Sequence, residues 1–157
     1  MYEPGIVVRK PLEGDLEKLA ELIVRFYRFN EEFDPAWSLV SNAEEKAREV
    51  AKSYIDGEGY TLVASYEGGL VGYIHAYIAK YPMLEMSRQA VVSELYVMPQ
   101  YRGRGIATML LDHLVDEVSG DGVRVVTSMF PVANFVAEHF YKKRKFRPYI
   151  SIYLREV

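Results

Sequence analysis

The sequence predicts an α/β protein built on one mixed sheet with helices on both faces. Three observations predict it. The elements run β-α-α-β-β-β-α-β-α-β, an order that leaves a sheet to be covered on both sides. Two stretches rich in β-branched and aromatic residues flank a hairpin signal, Glu67-Gly68-Gly69. Near residue 100 a strand pattern enters a glycine turn and leaves as a long helix. The 157 residues suit a single domain, 1–157, and a hydrophobic content of 50% can fill its core.

Each element has a local cause. Ile6-Val7-Val8-Arg9 reads as a short strand closed by Pro11 and Gly14. Asp15 is the expected N-cap of a helix to about Phe29, with Leu16, Leu19, Ala20, Leu22, Ile23 and Phe26 on one face. After a polar and aromatic stretch, Ser41 or Asn42 caps a second helix, 43–55, ended by Asp56-Gly57. Strands are expected at 60–66, 70–79 and 90–97. A helix at 103–118 stacks Ile106, Leu110, Leu114 and Val118. A strand at 123–128, a helix at 134–143 and a last alternating strand at 149–154 complete the order.

Composition narrows the function classes. A net charge of −3 argues against a nucleic-acid partner, whose footprint is usually a basic domain. The absence of cysteine excludes disulfides, thiolate nucleophiles and cysteine-zinc sites. No metal is expected. Met1-Tyr2-Glu3-Pro4 lacks a basic region followed by an apolar run, and no stretch has membrane-spanning length. A cytoplasmic location without a membrane partner is the expectation. Among 13 Tyr, those that are buried need hydroxyl partners, so some should line a wet cleft.

The most specific local feature is the turn from Gln100 to Ala107, which carries Gly103 and Gly105 before a helix. Free N–H groups and the helix dipole make such a start an anion site. Glycine lets phosphate oxygens approach the backbone, and Arg102 and Arg104 add positive charge. A strand–helix connection using glycine for turn geometry alone is the plainer reading. A nucleotide P-loop would require Gly-Lys-Ser/Thr, which is missing. A dinucleotide fingerprint would want a third small residue at Thr108 and a position near the chain start. Downstream, Asn134 and Tyr141 lie seven apart, two helical turns, and can face one groove.

With these two motifs the chain resembles the GNAT superfamily of N-acetyltransferases. Gln100, Gly103 and Gly105 match its Arg/Gln-x-x-Gly-x-Gly/Ala turn. Asn134, Ala137, Phe140, Tyr141 and Phe146 match its later helix, while Lys145 stands where the family often has glycine. The resemblance implies a sheet splayed at the cofactor strand and acetyl-CoA lying along Leu95, Tyr96 and Val97. It further implies the pyrophosphate on the amides from Gly103 through Arg104, Gly105, Ile106 and Ala107 to Thr108. Asn134 is expected towards the pantetheine arm and Tyr141 as the acid beside the departing sulfur.

Glu94 is the candidate base, directly or through a water, with a surface or salt-bridged glutamate as the equal alternative. His75 is its competitor, whereas His113 and His139 read as structural or exposed. The run Lys142-Lys143-Arg144-Lys145, with Arg147, either meets a 3′-phosphate or simply complements a helix C-terminus, and the second is preferred. The acceptor site of this superfamily is shaped by the first two helices and their loop. Here that segment mixes Tyr27, Phe29, Phe33 and Trp37 with Glu31, Glu32 and Asp34, a set suited to a small cationic amine or, equally, to a solvated acidic loop over a hydrophobic anchor. A protein N-terminal or lysine acetyltransferase and a non-catalytic acyl-CoA module are the alternatives. The family also allows a homodimer.

Overall fold

The computed structural model describes residues 4–157, so the opening tripeptide read above lies outside the described residues. Five strands stand side by side in chain order: β1 (Ile6–Arg9), β2 (Tyr60–Tyr66), β3 (Gly69–Lys80), β4 (Arg88–Val97) and β5 (Val125–Ser128). Neighbours are antiparallel except β4 and β5, which are parallel and need a crossover. That crossover is α3 (Ile106–Gly120). The remaining helices are α1 (Leu16–Glu31), α2 (Ala43–Ile55) and α4 (Phe135–Lys143).

Strand alternation divides the apolar residues between two faces. Val63, Tyr73 and Tyr96 pack against Leu19, Leu22, Ile23 and Phe26 of α1 and Ala47 and Ala51 of α2. Leu62, Ile74, Ala90, Val92 and Val97 meet Ile106, Leu110, Leu114 and Val118 of α3 and Tyr141 of α4. Helices therefore cover both faces, as the element order predicts. The stripe on α1 continues past Phe26 to Asn30, a buried amide in an otherwise apolar row.

Two irregularities shape the site. His75 pairs with Glu94 and Ala76 with Val92, so Ser93 is an extra residue in β4. This bulge resets the alternation. Ala90 and Val92 face α3, as do Leu95 and Val97, while Glu94 joins Tyr96 on the α1 side. The second irregularity is a splay. Pairing with β5 ends at Val92 and Ser128, yet β4 continues to Val97 beside β3 alone.

Four local expectations are revised. The segment 149–154 forms no strand: it has no partner in the sheet, and its apolar side chains stand in solvent. The helix expected from 103 begins at Ile106, since Gly103 and Gly105 take φ of 78° and 79°, the left-handed region that helices exclude. The strand expected from 123 begins at Val125. Asp15 precedes α1 without capping it: its carboxylate is held by Arg9 at 2.7 Å and by the Leu12 amide at 2.7 Å.

Candidate active site

The splay opens a cleft of about 360 Å³ between the C-terminal half of β4, the start of α3 and α4. That volume falls in the range of small-ligand sites. Its floor is Val92 to Val97, with Phe26, Phe29 and Asn30 entering from α1. Ser128, Met129 and Phe130 form the wall where β5 turns away. The lining also takes in Gly103, Gly105, Ile106, Ala107 and Thr108 from the turn and the start of α3, and Asn134, Ala137 and Tyr141 from α4 and its cap. The expected positions are thus brought together, apart from Gln100 and Arg104, which lie outside the lining.

The glycine turn is suited to a phosphate. The first amides of a helix have no partner within it, and those of α3 start beside the cleft. A Cβ added to Gly103 would meet no protein atom within 4 Å, so the space over this backbone is open to a ligand. The arginines behave differently from expectation. Arg102 turns back to donate to the Val97 carbonyl at 2.8 Å, its guanidinium over the rings of Phe29 and Tyr96. Arg104 stacks on Tyr101. Arg144, from the basic run, also stands beside the first turn of α3. It donates to the Thr108 hydroxyl and the Phe140 carbonyl and lies 3.8 Å from the Phe140 ring centre.

The Tyr141 ring is stacked with Phe130 and edged by Phe140 and Phe146. Burial pushes its phenol up to about 12, partly opposed by the Ser128 hydroxyl and the Arg144 charge. The group is therefore a neutral proton donor at physiological pH. Asn134 caps α4, its Oδ1 accepting from the Ala137 amide at 3.0 Å. Its Nδ2 donates to Asn30 Oδ1 at 2.9 Å, and Asn30 in turn donates to the Phe26 carbonyl at 2.9 Å. This buried amide pair ties α1, on one face of the sheet, to the start of α4, on the other. The sequence reading ends the first helix at about Phe29 and misses Asn30; the fold extends α1 to Glu31 and gives this amide its partner.

Glu94 is neither exposed nor salt-bridged. It is 3% exposed, and both its oxygens accept from phenols: Oε1 from Tyr73 at 2.8 Å and Oε2 from Tyr54. Burial raises its pKa, and the two tyrosine hydroxyls hold part of that rise back. Burial and the Glu94 charge push Tyr27 up to about 12. Tyr54 and Tyr73 thus find their hydroxyl partner in Glu94, a meeting that could not be read from spacing, and the tyrosines that line the cleft are Tyr96, Tyr101 and Tyr141 instead. His75 lies against the same cluster, its ring 3.7 Å from Tyr54 and stacked, its Nδ1 2.7 Å from the Thr61 hydroxyl. Burial lowers its pKa to about 4. His113 and His139 are exposed on α3 and α4.

The loop after α1 is less open than its composition suggests. Trp37 packs on Phe26 and Tyr27. Asp34 accepts from the Ala36 amide at 2.8 Å and Glu31 from the Leu39 amide at 3.1 Å. Two of its three carboxylates are therefore engaged by the loop's own backbone. Among the described residues no group of three or more His, Asp or Glu could hold a metal, and no helix is long and apolar enough to cross a membrane.

Comparison with known proteins agrees with this geometry. The model of the acetyltransferase (GNAT) family matches residues 16–146. An uncharacterized N-acetyltransferase of Methanocaldococcus jannaschii is 28% identical over 145 residues, covering 88% of this chain and 59% of that protein. The chain thus spans under two thirds of that relative's length. A solved aminoglycoside N-acetyltransferase in complex with CoA superposes with a TM-score of 0.75 at 16% identity, covering 96% of this chain and 94% of the other. A ribosomal-protein-alanine N-acetyltransferase from Brucella melitensis gives 0.74 at 20% identity, covering 97% and 99%.

Proposed function

The chain belongs to the GNAT acetyltransferase family, and from that membership we propose that it is a single-domain N-acetyltransferase moving an acetyl group from acetyl-CoA to a primary amine by direct attack. The observation that carries this reading is the cleft in the splay, lined both by a phosphate-suited glycine turn and by a buried phenol. When bound, the coenzyme supplies an activated acyl carbon.

The roles of the residues follow from their chemistry. The backbone from Leu95 through Tyr96 to Val97 orients the thioester and polarises its carbonyl. The amides of Gly103, Arg104, Gly105, Ile106, Ala107 and Thr108 hold the pyrophosphate, with Arg144 adding charge beside Thr108. Gln100 and Arg102 act at one remove, on the shape of the turn: the Gln100 carbonyl accepts from Arg104 and the Val97 carbonyl from Arg102. Asn134 fixes the start of α4 beside the pantetheine path. The Tyr141 hydroxyl gives its proton to the sulfur as the C–S bond breaks and the C–N bond forms.

The proton of the attacking amine passes to Glu94. Because tyrosine hydroxyls occupy both carboxylate oxygens, the route runs through the Tyr54 hydroxyl or a water rather than by direct contact. Tyr54 hands the proton on without ionising, since burial and Glu94 push its own pKa far up. His75 is the weaker candidate, because its lowered pKa makes it a poor proton acceptor near neutrality.

The acceptor we favour is a small cationic amine. Its support is the Glu94 carboxyl, which lines the cleft together with the aromatic rings of Phe26, Phe29 and Tyr96. Proteins of similar fold act on an aminoglycoside and on a ribosomal-protein alanine, so fold alone does not select the acceptor. Calorimetric titration with acetyl-CoA, followed by thiol release over a panel of amines and peptides, tests the proposal. Tyr141→Phe should lower kcat by roughly 10²-fold while leaving coenzyme affinity nearly unchanged. No binding at millimolar coenzyme overturns the reading, and acetylation confined to peptides overturns the acceptor.

A further inference from the structure

The proton route through Glu94 leaves one buried group beside it without a task. His75 is 5% exposed, in a place that an aliphatic side chain could fill at no polar cost. Its imidazole is a poor base near neutrality, so its presence has another cause.

Sheet register sets His75 between two polar neighbours. Thr61 of β2, His75 of β3 and Glu94 of β4 are successive partners, so they form one transverse row on the α1 side of the sheet. The Thr61 hydroxyl holds the imidazole through Nδ1 at 2.7 Å. Tyr54, from the last turn of α2, lies flat on the same ring, the centres 3.7 Å apart and the planes 10° apart. From there its hydroxyl donates to Glu94 Oε2. Tyr73, the other donor to Glu94, is fully buried and held by the core around it, whereas Tyr54 is partly exposed and depends on what lies against its face. The chain is also shaped to admit the imidazole. It returns from α2 to β2 through Gly57-Glu58-Gly59, and a Cβ on Gly59 would lie 2.7 Å from His75 Cε1 and 2.6 Å from the Ala76 carbonyl oxygen.

We propose that His75 is a positioning residue for acetyl transfer: held by Thr61, it fixes the Tyr54 ring so that the phenol stays on Glu94. In the acetyl-transfer reading, on which this assignment rests, Tyr54 does two things. Its hydrogen bond favours the ionised carboxylate, and its hydroxyl passes on the proton of the attacking amine. Loss of His75 weakens both and leaves the coenzyme cleft alone, since neither His75 nor Tyr54 lines it. The titratable groups around Glu94 are Tyr27 of α1, Tyr54 of α2, Tyr73 and His75 of β3 and Tyr96 on the same face of β4, with the charge of Glu58 felt at Tyr54. All but the residue replaced are common to the proteins compared below.

Carbon-13 NMR titration of the Glu94 carboxyl in the full chain, assigned with Glu94→Gln, reads the contact without turnover. His75→Leu fills the site without a flat ring and should raise the Glu94 pKa by about one pH unit. His75→Phe restores a flat ring and should bring it back towards the parent value. Thr61→Val keeps the volume but frees the imidazole, and should move Glu94 the same way by a smaller step, which serves where His75→Leu does not fold. Thiol release with one amine throughout should show kcat of His75→Leu lowered roughly 10-fold and the ascending limb of kcat/KM moved to higher pH, with Kd for CoA unchanged. In a Tyr54→Phe background His75→Leu should add nothing further. A Glu94 pKa unmoved in both His75→Leu and Thr61→Val, a His75→Phe variant as impaired as His75→Leu, or full additivity with Tyr54→Phe would each overturn the proposal. A parent that releases no thiol with any amine overturns the acetyl-transfer reading instead, and the NMR titration still decides whether His75 holds Tyr54 on Glu94.

Discussion

At the residue scale, His75 and Glu94 are in-register neighbours whose burial acts in opposite senses on folding. For His75 the folded pKa, about 4, lies below the 6.5 of an exposed imidazole. The unfolded chain therefore binds the proton more readily. Stability from this group is present above pH 6.5 and is lost as pH falls towards 4, a change on the order of 3 kcal/mol. Glu94 runs the other way: its pKa is raised on burial, so its protonated form favours the fold and stability declines as pH rises through that range. Urea titrations between pH 7 and 4 should show a net loss for the parent. His75→Gln should flatten the acid limb, while Glu94→Gln should steepen it and be at least as stable as the parent at pH 7. An unchanged acid limb in His75→Gln would remove the imidazole from this account. Glu94→Gln should also abolish the rise of turnover with pH, because the amide accepts no proton. A second residue-scale test concerns the Asn30–Asn134 pair. Asn30→Ala leaves the buried Asn134 amide without its acceptor and should cost about 1–3 kcal/mol in a urea titration, whereas loss under 0.5 kcal/mol would show the pair contributes little.

At the element scale the glycine turn and the end of α4 make a contrasting pair. Gly103 and Gly105 take left-handed φ where the residue is suited to it, whereas Lys145 takes φ of 67° where most side chains resist it. The end of α4 keeps the closing bonds of a left-handed cap, Phe146 N to the Tyr141 carbonyl at 3.1 Å and Lys145 N to the Lys142 carbonyl at 3.1 Å. The lysine thus adopts the geometry that the family pattern assigns to glycine, at a cost of about 1 kcal/mol. Lys145→Gly should recover it, raising Tm by roughly 2–4 °C in calorimetry. A lowered Tm would mean that the lysine side chain stabilises the cap. These two elements also show how far local pattern reaches. Periodicity located α1, α2, α3, α4 and all five strands to within a few residues, because each carries its own apolar face. The spacing put Asn134 and Tyr141 on one groove, and the family resemblance, not periodicity, joined that groove to the turn. Periodicity could not foresee the Ser93 bulge, since a single extra residue leaves no mark on a strand already apolar on both faces. Nor could it foresee that 149–154 would stand alone: alternation shows that a segment can be a strand, and pairing depends on what lies beside it.

At the scale of the whole molecule the cleft lies between two cores that share a sheet but few other contacts. One core is α1, α2 and one face of the sheet; the other is α3, α4 and the opposite face. Beyond Val92 the strands β4 and β5 no longer hold each other, and the layers there are joined by the Asn30–Asn134 pair. A ligand filling this gap touches both layers, since Phe26, Phe29 and Asn30 line it from one side and Ala107, Ala137 and Tyr141 from the other. Its binding free energy therefore appears as stability of the entire fold. At a free concentration of one hundred times Kd, the gain is about 2.7 kcal/mol. For a chain of this size that corresponds to a rise in Tm of roughly 5–11 °C. CoA without an acyl group should give most of the shift, because the proposed grip is on the phosphates and the pantetheine arm. Gly103→Ala should lose most of it, since its Cβ would enter the open space over the turn. A differential scanning experiment with CoA on the parent and this variant measures both. Equal shifts in the two proteins would place the coenzyme away from the turn between Gln100 and Ala107.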